Sequence, residues 1–488
     1  MISGCMSTSK TSNDTNNLPS NGYKILDTRI GKLTFENGFE HGVPTLETSQ
    51  KLFDEVDFQR ATQAYIWATP IVSFYEWMND HTNEWKLERG QLVFQETYRQ
   101  KLGGLTYNTV TPYLMSFISL SNGPVMIKIP SNELRGAVHN MWQIGKGQMT
   151  KIGTYVIYKA GEEAPKVKGA TLVAMDTNDF FFGVRLMNKD ANVRKQHIKE
   201  IEKNITNLSG KRLSEKAIFN VIKGTDHKQP RGIRYWEVVH QFINANPVHE
   251  RDRMMMDMLT PLGIEKGKPF NPTKRQKKIL IEAATIGEAM TKNIDFNKTG
   301  RLAQSEYGGH DNSWEIATAS TPEQNRDYGM DLDGRAAWFY EAVTNDIAMH
   351  GMSNGGWGQV YLDNYYSGNK EAGLDGGKAY KLHIKHPESY ANLFWNITVY
   401  SVENRAIINN EQGRADVGAN IEGTEYNKDG SVTLYFSPTK PKGVSETNWI
   451  QTIYGENWFV YFRAYSPKKE FVEQQPHTIV PNFELVNQ

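Results

Sequence analysis

From Asp57 to Asn79 the chain reads DFQRATQAYIWATPIVSFYEWMN, with Tyr65, Ile66, Ile71, Phe74, Tyr75 and Met78 spaced to lay an apolar stripe along a helix. Pro70 inside it predicts a kink or a break. The pattern then changes to β-rich runs over 105–130, LTYNTVTPYLMSFISLSNGPVMIKIP, where Ser-Asn-Gly-Pro predicts a hairpin or a strand-turn-strand. Further strands are predicted at Gly153 to Lys159, Ala170 to Met175 and Phe180 to Leu186. QHIKEIEKNITNL, YWEVVHQFINANP and RQKKILIEAATIGEAM return to three- and four-residue apolar spacing, which predicts amphipathic helices. Another helix is predicted from Gly334 to Gly351, and strands dominate afterwards: KAYKLHIK, FWNITVYS, VTLYFSP and WFVYFRAYS, with Asn427-Lys428-Asp429-Gly430 as a turn. The pattern shows no internal repeat.

These blocks predict a mixed α and β, multi-domain protein with two antiparallel β-sandwich or jelly-roll-like domains joined by a helical section. At 488 residues the chain exceeds what one core usually supports. The expected division is a tether over 1–50, an N-terminal β-rich domain over 51–190, a helical section over 191–300 and a C-terminal jelly-roll-like domain over 301–488.

Composition changes this picture little. Apolar residues make up 39% and charged residues 23%, as in an ordinary globular protein. Lys+Arg and Asp+Glu are both 55, so no net field draws the protein to nucleic acid or an anionic membrane, and neither is expected as a partner. No apolar run is long enough to span a bilayer.

Cysteine is the informative count. The single one, Cys5, excludes an intramolecular disulfide, a Cys-rich zinc site and an iron–sulfur cluster. Ile2-Ser3-Gly4-Cys5 matches the bacterial lipobox, and Ser7 to Asn21 has the polar composition of a flexible tether. The expectation is an exported protein of the periplasm or cell surface, an outer-membrane lipoprotein attached through Cys5. Such a signal also needs a charged and an apolar region, which would precede Met1. The alternative is a disordered tail with an incidental cysteine.

The chain has no P-loop, His-Glu-x-x-His or Rossmann fingerprint. No cofactor is expected. Asn108, Thr111, Tyr113, His139, Trp142, Gln143 and Arg185 would form an aromatic platform with hydrogen-bonding groups if the strands bring them together. The bland alternative makes Tyr113 and Trp142 core aromatics with satisfied polar tips. His310 to Glu315 and Asp327, Asp331 and Asp333 offer oxygen ligands for Ca²⁺ without an EF-hand spacing, and Asp331 or Asp333 serves equally as a helix cap. His383 and His386, three apart on a predicted strand, point to opposite sides and cannot chelate together. His240 and His249, near Glu250 and Asp252, form a conceivable acid–base pair, while Met254, Met255, Met256 and Met258 read as adaptable packing. Trp395, Tyr400, Asn448, Trp449, Arg463 and Tyr465 are expected to line a sandwich face, with Arg463 pairing a buried acid or a ligand carboxylate.

Several stretches together resemble one family pair. GPVMIKIP, Met141-Trp142-Gln143, Phe182-Gly183-Val184-Arg185 and ERDRMMMDMLTPLGIEKGKPFNP resemble the domain of unknown function 1254. LDGGKAYKLHI, NLFWNITVYS, NKDGSVTLYFSP, TNWIQT and FRAYSP resemble its usual partner, the domain of unknown function 1214, so that the resemblance runs from about Phe53 to Val480. It implies two β-sandwich-like domains around a helical section and, in many members, export. Relatives carry an Asn-x-Asp-Thr-x-Tyr type motif where this chain has Asn108, Val110, Thr111 and Tyr113, so an acid-dependent role does not transfer to this site. The functional expectation is a small polar or glycan-like ligand bound in a cleft of the β domains. The alternatives are a hydrolase using His with Asp or Glu, and a self-assembling jelly-roll module that forms a homo-oligomer.

Overall fold

A computed structural model of the chain describes residues 22–296, 314–317, 325–326, 329–343, 359–363, 373–474 and 479–486. The lipobox around Cys5, the Ser7 to Asn21 tether, His310 to Ser313, Asp327 and the end of the predicted helix from 344 to Gly351 lie outside the described residues.

The N-terminal half is built on two facing sheets. A six-stranded sheet runs in the order Phe219–Asn220, Val93–Gln95, Tyr113–Ser119, Asp179–Leu186, Leu134–Asn140, Gly145–Met149. A four-stranded sheet runs Thr171–Met175, Gly153–Lys159, Val125–Ile129, Ile205–Asn207. Leu114, Ile118, Phe180, Phe182 and Val184 of the first meet Val125, Ile127, Ile157 and Val173 of the second in one apolar core. Alternate residues of these strands point into this core. The two strands flanking Ser-Asn-Gly-Pro do not pair with each other: Tyr113–Ser119 pairs with 93–95 and 179–186, and Val125–Ile129 with 153–159 and 205–207. The turn carries the chain from one sheet of the sandwich to the other. The sheets are not purely antiparallel either, since Thr171–Met175 runs parallel to Gly153–Lys159.

The opposite face of the six-stranded sheet is covered by one 38-residue helix, Leu46–Asn83. Thr45 caps it, its hydroxyl accepting from Thr48 N at 3.3 Å. The helix continues through Pro70 where a break was expected. In the turn that Pro70 loosens, Tyr65 O accepts from the Tyr235 hydroxyl at 2.6 Å and from Thr69 Oγ1 at 3.0 Å, and Gln143 Nε2 donates to Pro70 O at 2.7 Å. Side chains from other elements thus hold this turn together. Residues 22–45, read as part of a tether, instead fold back on the helix as Tyr23–Thr28, Gly31–Glu36 and Val43–Pro44, burying Leu33 and Phe35.

The helices Ile233–Ala245, Lys274–Phe296 and Leu332–Glu341 pack with the long helix. The helical layer therefore draws on both sides of the expected 191–300 section. Beyond it the C-terminal sheets face each other, Tyr380–Ile384 and Val432–Ser437 opposite Ala391–Ser401 and Asn457–Pro467, with the Phe436 and Trp458 rings 5.2 Å apart. Neither pair of sheets closes into a barrel.

Candidate functional site

The strand register separates the seven residues grouped from sequence. Arg185 pairs with Tyr113, whereas His139 pairs with Phe181, four residues along the same strand or about 13 Å away. Around Tyr113 lie Lys101 Nζ at 4.9 Å and Arg185 at 5.8 Å from the ring, with Thr111 just before it in the chain. At the other end Trp142 packs edge-on to Trp67 and Phe242 as a core aromatic, and Gln143 holds the long helix. His139 is buried with no partner on either ring nitrogen, and burial pulls it down to about 3. Asn108 Nδ2 donates to the Tyr465 hydroxyl across the domain boundary. The platform expected from these seven does not assemble.

A different set converges between them. Trp77 and His81 lie one turn apart on the long helix with their rings 5.7 Å apart. Tyr107 comes from the crossing after Lys101, and His227 from the loop before Ile233. The Trp77 ring is 5.7 Å from Tyr107 and 5.0 Å from His227, and Tyr107 is 5.6 Å from His227. Each ring carries a buried polar atom without a partner: Trp77 Nε1, His81 Nε2, Tyr107 Oη and His227 Nε2. One such atom costs about 1–3 kcal/mol, so four on adjoining rings are a concentration of unsatisfied hydrogen-bonding capacity.

His227 is oriented. Its Nδ1 lies 3.2 Å from Asp80 Oδ2, 147 residues away in sequence, and 3.4 Å from Thr225 Oγ1. A carboxylate only accepts, so Nδ1 carries the proton, and in that tautomer of the uncharged imidazole Nε2 is an acceptor. The loop is fixed from below by His227 N donating to Gly103 O at 3.1 Å. Gly103 has φ +83°, and a Cβ there would meet Thr225 O at 2.3 Å, so only glycine allows this approach.

The C-terminal domain sets the position of Tyr107. Its carbonyl accepts from the Tyr400 hydroxyl at 2.7 Å, Thr106 O accepts from Arg463 Nη2 at 2.8 Å, and Thr106 Oγ1 donates to Glu341 O at 2.8 Å. Thr106 is held at φ +39° by these contacts. Tyr400, Arg463 and Tyr465 therefore face the N-terminal half, whereas Trp395 lies on the other face of the sheet, stacked with Phe462.

Burial lowers the His81 imidazole well below its ordinary value, with His227 and Arg89 acting in the same sense, and raises the Tyr107 phenol well above its own. Next to the cluster, Lys101 is fully buried and donates to Thr111 O at 2.6 Å. Burial draws its amine down to about 7, Asp416 of the C-terminal domain opposes that, and Arg185 adds to it.

His240 Nε2 meets Lys268 O at 2.7 Å, and Asp252 accepts from Trp67 Nε1 at 3.4 Å with His249 acting on it through space, so His240 and Asp252 have separate partners. Asp331 caps its helix through Gly334 N at 2.9 Å. His383 bonds Thr433 Oγ1 at 2.9 Å, and His386 lies beyond the strand. Among the described residues no group of three or more His, Cys, Asp or Glu is placed to hold a metal ion, and no helix is long and apolar enough to cross a membrane.

With this geometry in place, comparison with known proteins settles the domain content. Residues 91–207 match the family model of a protein of unknown function, DUF1254, and residues 358–469 that of another, DUF1214. The chain carries both domains. The Asp80–His227 pair flanks the DUF1254 match on either side, and the residues that seat Tyr107 include Tyr400 and Arg463 of DUF1214. No curated protein matches the chain. Among solved structures, the VPA0106 protein from Vibrio parahaemolyticus is similar at 18% identity and a TM-score of 0.51, over 88% of this chain and 100% of its own, which shows a shared fold. An uncharacterized protein from Burkholderia cenocepacia aligns over 90% of this chain and 97% of its own, at 10% identity and a TM-score of 0.35.

Proposed function

We propose that this DUF1254–DUF1214 protein binds a small, uncharged, hydrogen-bonding molecule among Trp77, His81, Tyr107 and His227. The observation that carries the reading is the set of four buried polar atoms without partners on rings packed around Trp77. Two of them, the indole N–H and the phenol O–H, donate, and His227 Nε2 accepts. A hydroxyl or carbonyl-bearing ligand stacked on the aromatic rings satisfies both kinds at once. This moves the ligand site from the platform expected around Trp142 to the seam where DUF1254, the long helix and DUF1214 meet. Native mass spectrometry of the purified protein, with a melting-temperature screen of small polar metabolites and sugars, tests it. The expected result is a bound species or a stabilising compound whose effect is lost in Tyr107→Phe. A protein that carries nothing and is shifted by nothing in the screen overturns the reading.

A further inference from the structure

We propose that the same cluster hydrolyses small uncharged esters, with His227 as general base, Asp80 as its positioning residue, and Tyr107 and Trp77 as oxyanion donors. This rests on the binding reading above and adds chemistry to it.

The argument begins with the inventory of donors and acceptors. Ester hydrolysis needs one acceptor to take a proton from water and donors aimed at the carbonyl oxygen where negative charge develops. The cluster supplies both from polar atoms that make no hydrogen bond within the described residues. Asp80 engages Nδ1 at 3.2 Å and leaves Nε2 of His227 unpartnered, while Tyr107 Oη and Trp77 Nε1 are unpartnered on rings 5.6 Å and 5.0 Å from that imidazole. A histidine oriented by a carboxylate is the arrangement that fixes the tautomer a base requires. Among the described residues no hydroxyl or thiol hydrogen-bonds His227 Nε2, so water attacks directly.

In the step, the water oxygen bonds to the ester carbon as its proton passes to His227 Nε2. The carbonyl π electrons move onto oxygen, which receives hydrogen bonds from Tyr107 and Trp77. The intermediate collapses by breaking the bond to the alkoxy group, which takes the proton back from His227. One water is consumed, one acid and one alcohol are formed, and the base is restored.

The charges around the site select the substrate class. Asp80 is engaged with His227, and Arg89, near His81, pairs with Asp179 at 3.6 Å. With His227 acting as a neutral base, Asp80 keeps a negative charge beside the ring, which disfavours an anionic ester.

p-Nitrophenyl acetate is the probe, with the full chain and three variants whose melting temperatures are measured alongside. His227→Gln is expected to lower kcat about 100-fold and Tyr107→Phe at least about tenfold. Asp80→Asn is expected to lower kcat about tenfold with KM unchanged, because it acts through His227. Tyr107→Phe removes one oxygen and keeps the ring, so it remains informative if His227→Gln unfolds. No turnover above buffer, or equal rates in wild type, His227→Gln and Tyr107→Phe, overturns the proposal. If native mass spectrometry still finds a molecule displaced by Tyr107→Phe, binding stands without hydrolysis; if it finds none and no compound shifts the melting temperature, both fail.

Discussion

Replacing Lys101 by methionine separates the cost of a buried amine from everything else in the seam. In the native protein the ammonium has no exposed surface, and its partners are Thr111 O at 2.6 Å and Thr109 O at 3.4 Å, with Asp416 acting through space. An ordinary lysine titrates near 10.5 and this one near 7, so the unfolded chain binds the proton more strongly throughout the interval between them. Stability must then rise with pH from about 7 towards 10.5. At about 1.4 kcal/mol per unit, the group costs about 4 kcal/mol at pH 7 and about 2 kcal/mol at pH 9. Burial raises the Asp416 carboxyl, and losing its cation raises it further. The lysine shift increases the wild-type advantage over Lys101→Met as pH rises. Urea unfolding of both proteins at pH 7, 8 and 9, analysed with a common slope, should show that advantage growing by about 2 kcal/mol, and subtraction removes the titrating groups that the substitution leaves unchanged. A difference constant to within about 0.5 kcal/mol over the range refutes the assignment of a buried, destabilised amine.

Two further substitutions probe what surrounds the site. His139→Leu removes an imidazole drawn down to about 3 by burial, with both nitrogens unpartnered, so wild-type stability should fall as pH drops below 6.5 and the variant should lose about 2 kcal/mol less by pH 5; parallel acid melting curves for the two proteins would count against it. Gly103→Ala forces a side chain into φ +83° and against Thr225 O, which should cost about 2–4 kcal/mol and displace His227; an unchanged melting temperature would mean that the loop is not held there.

Periodicity made the separate elements readable. Gly153–Lys159 coincides with its prediction, Tyr155 and Ile157 facing one core, and Ile233–Ala245 overlaps the helix predicted over 235–247 because one stripe of it is buried. The long helix was harder to bound: from Ala64 to Tyr75 it is buried all round, so the contrast between faces disappears, and Pro70 reads locally as a stop. The strands 113–119 and 125–129 were legible as strands, but a tight turn looks the same whether it joins partners or passes between sheets. For the site, residues close in sequence were grouped, and the register of Arg185 with Tyr113 and of His139 with Phe181 placed them apart. Asp80, His81 and His227 carried no motif signal at all.

The sequence by itself determined the two domains of the family pair, their order, the alternation of strands and helices, and a balanced net charge with a single cysteine. Those properties depend on near neighbours and on composition, which a linear pattern records. Tertiary structure alone decided the functional geometry. Asp80 meets His227 across 147 residues, and Tyr107 is set by Tyr400 across 293. Such contacts follow from how whole layers pack, since each partner sits on an element whose own pattern is satisfied without the other.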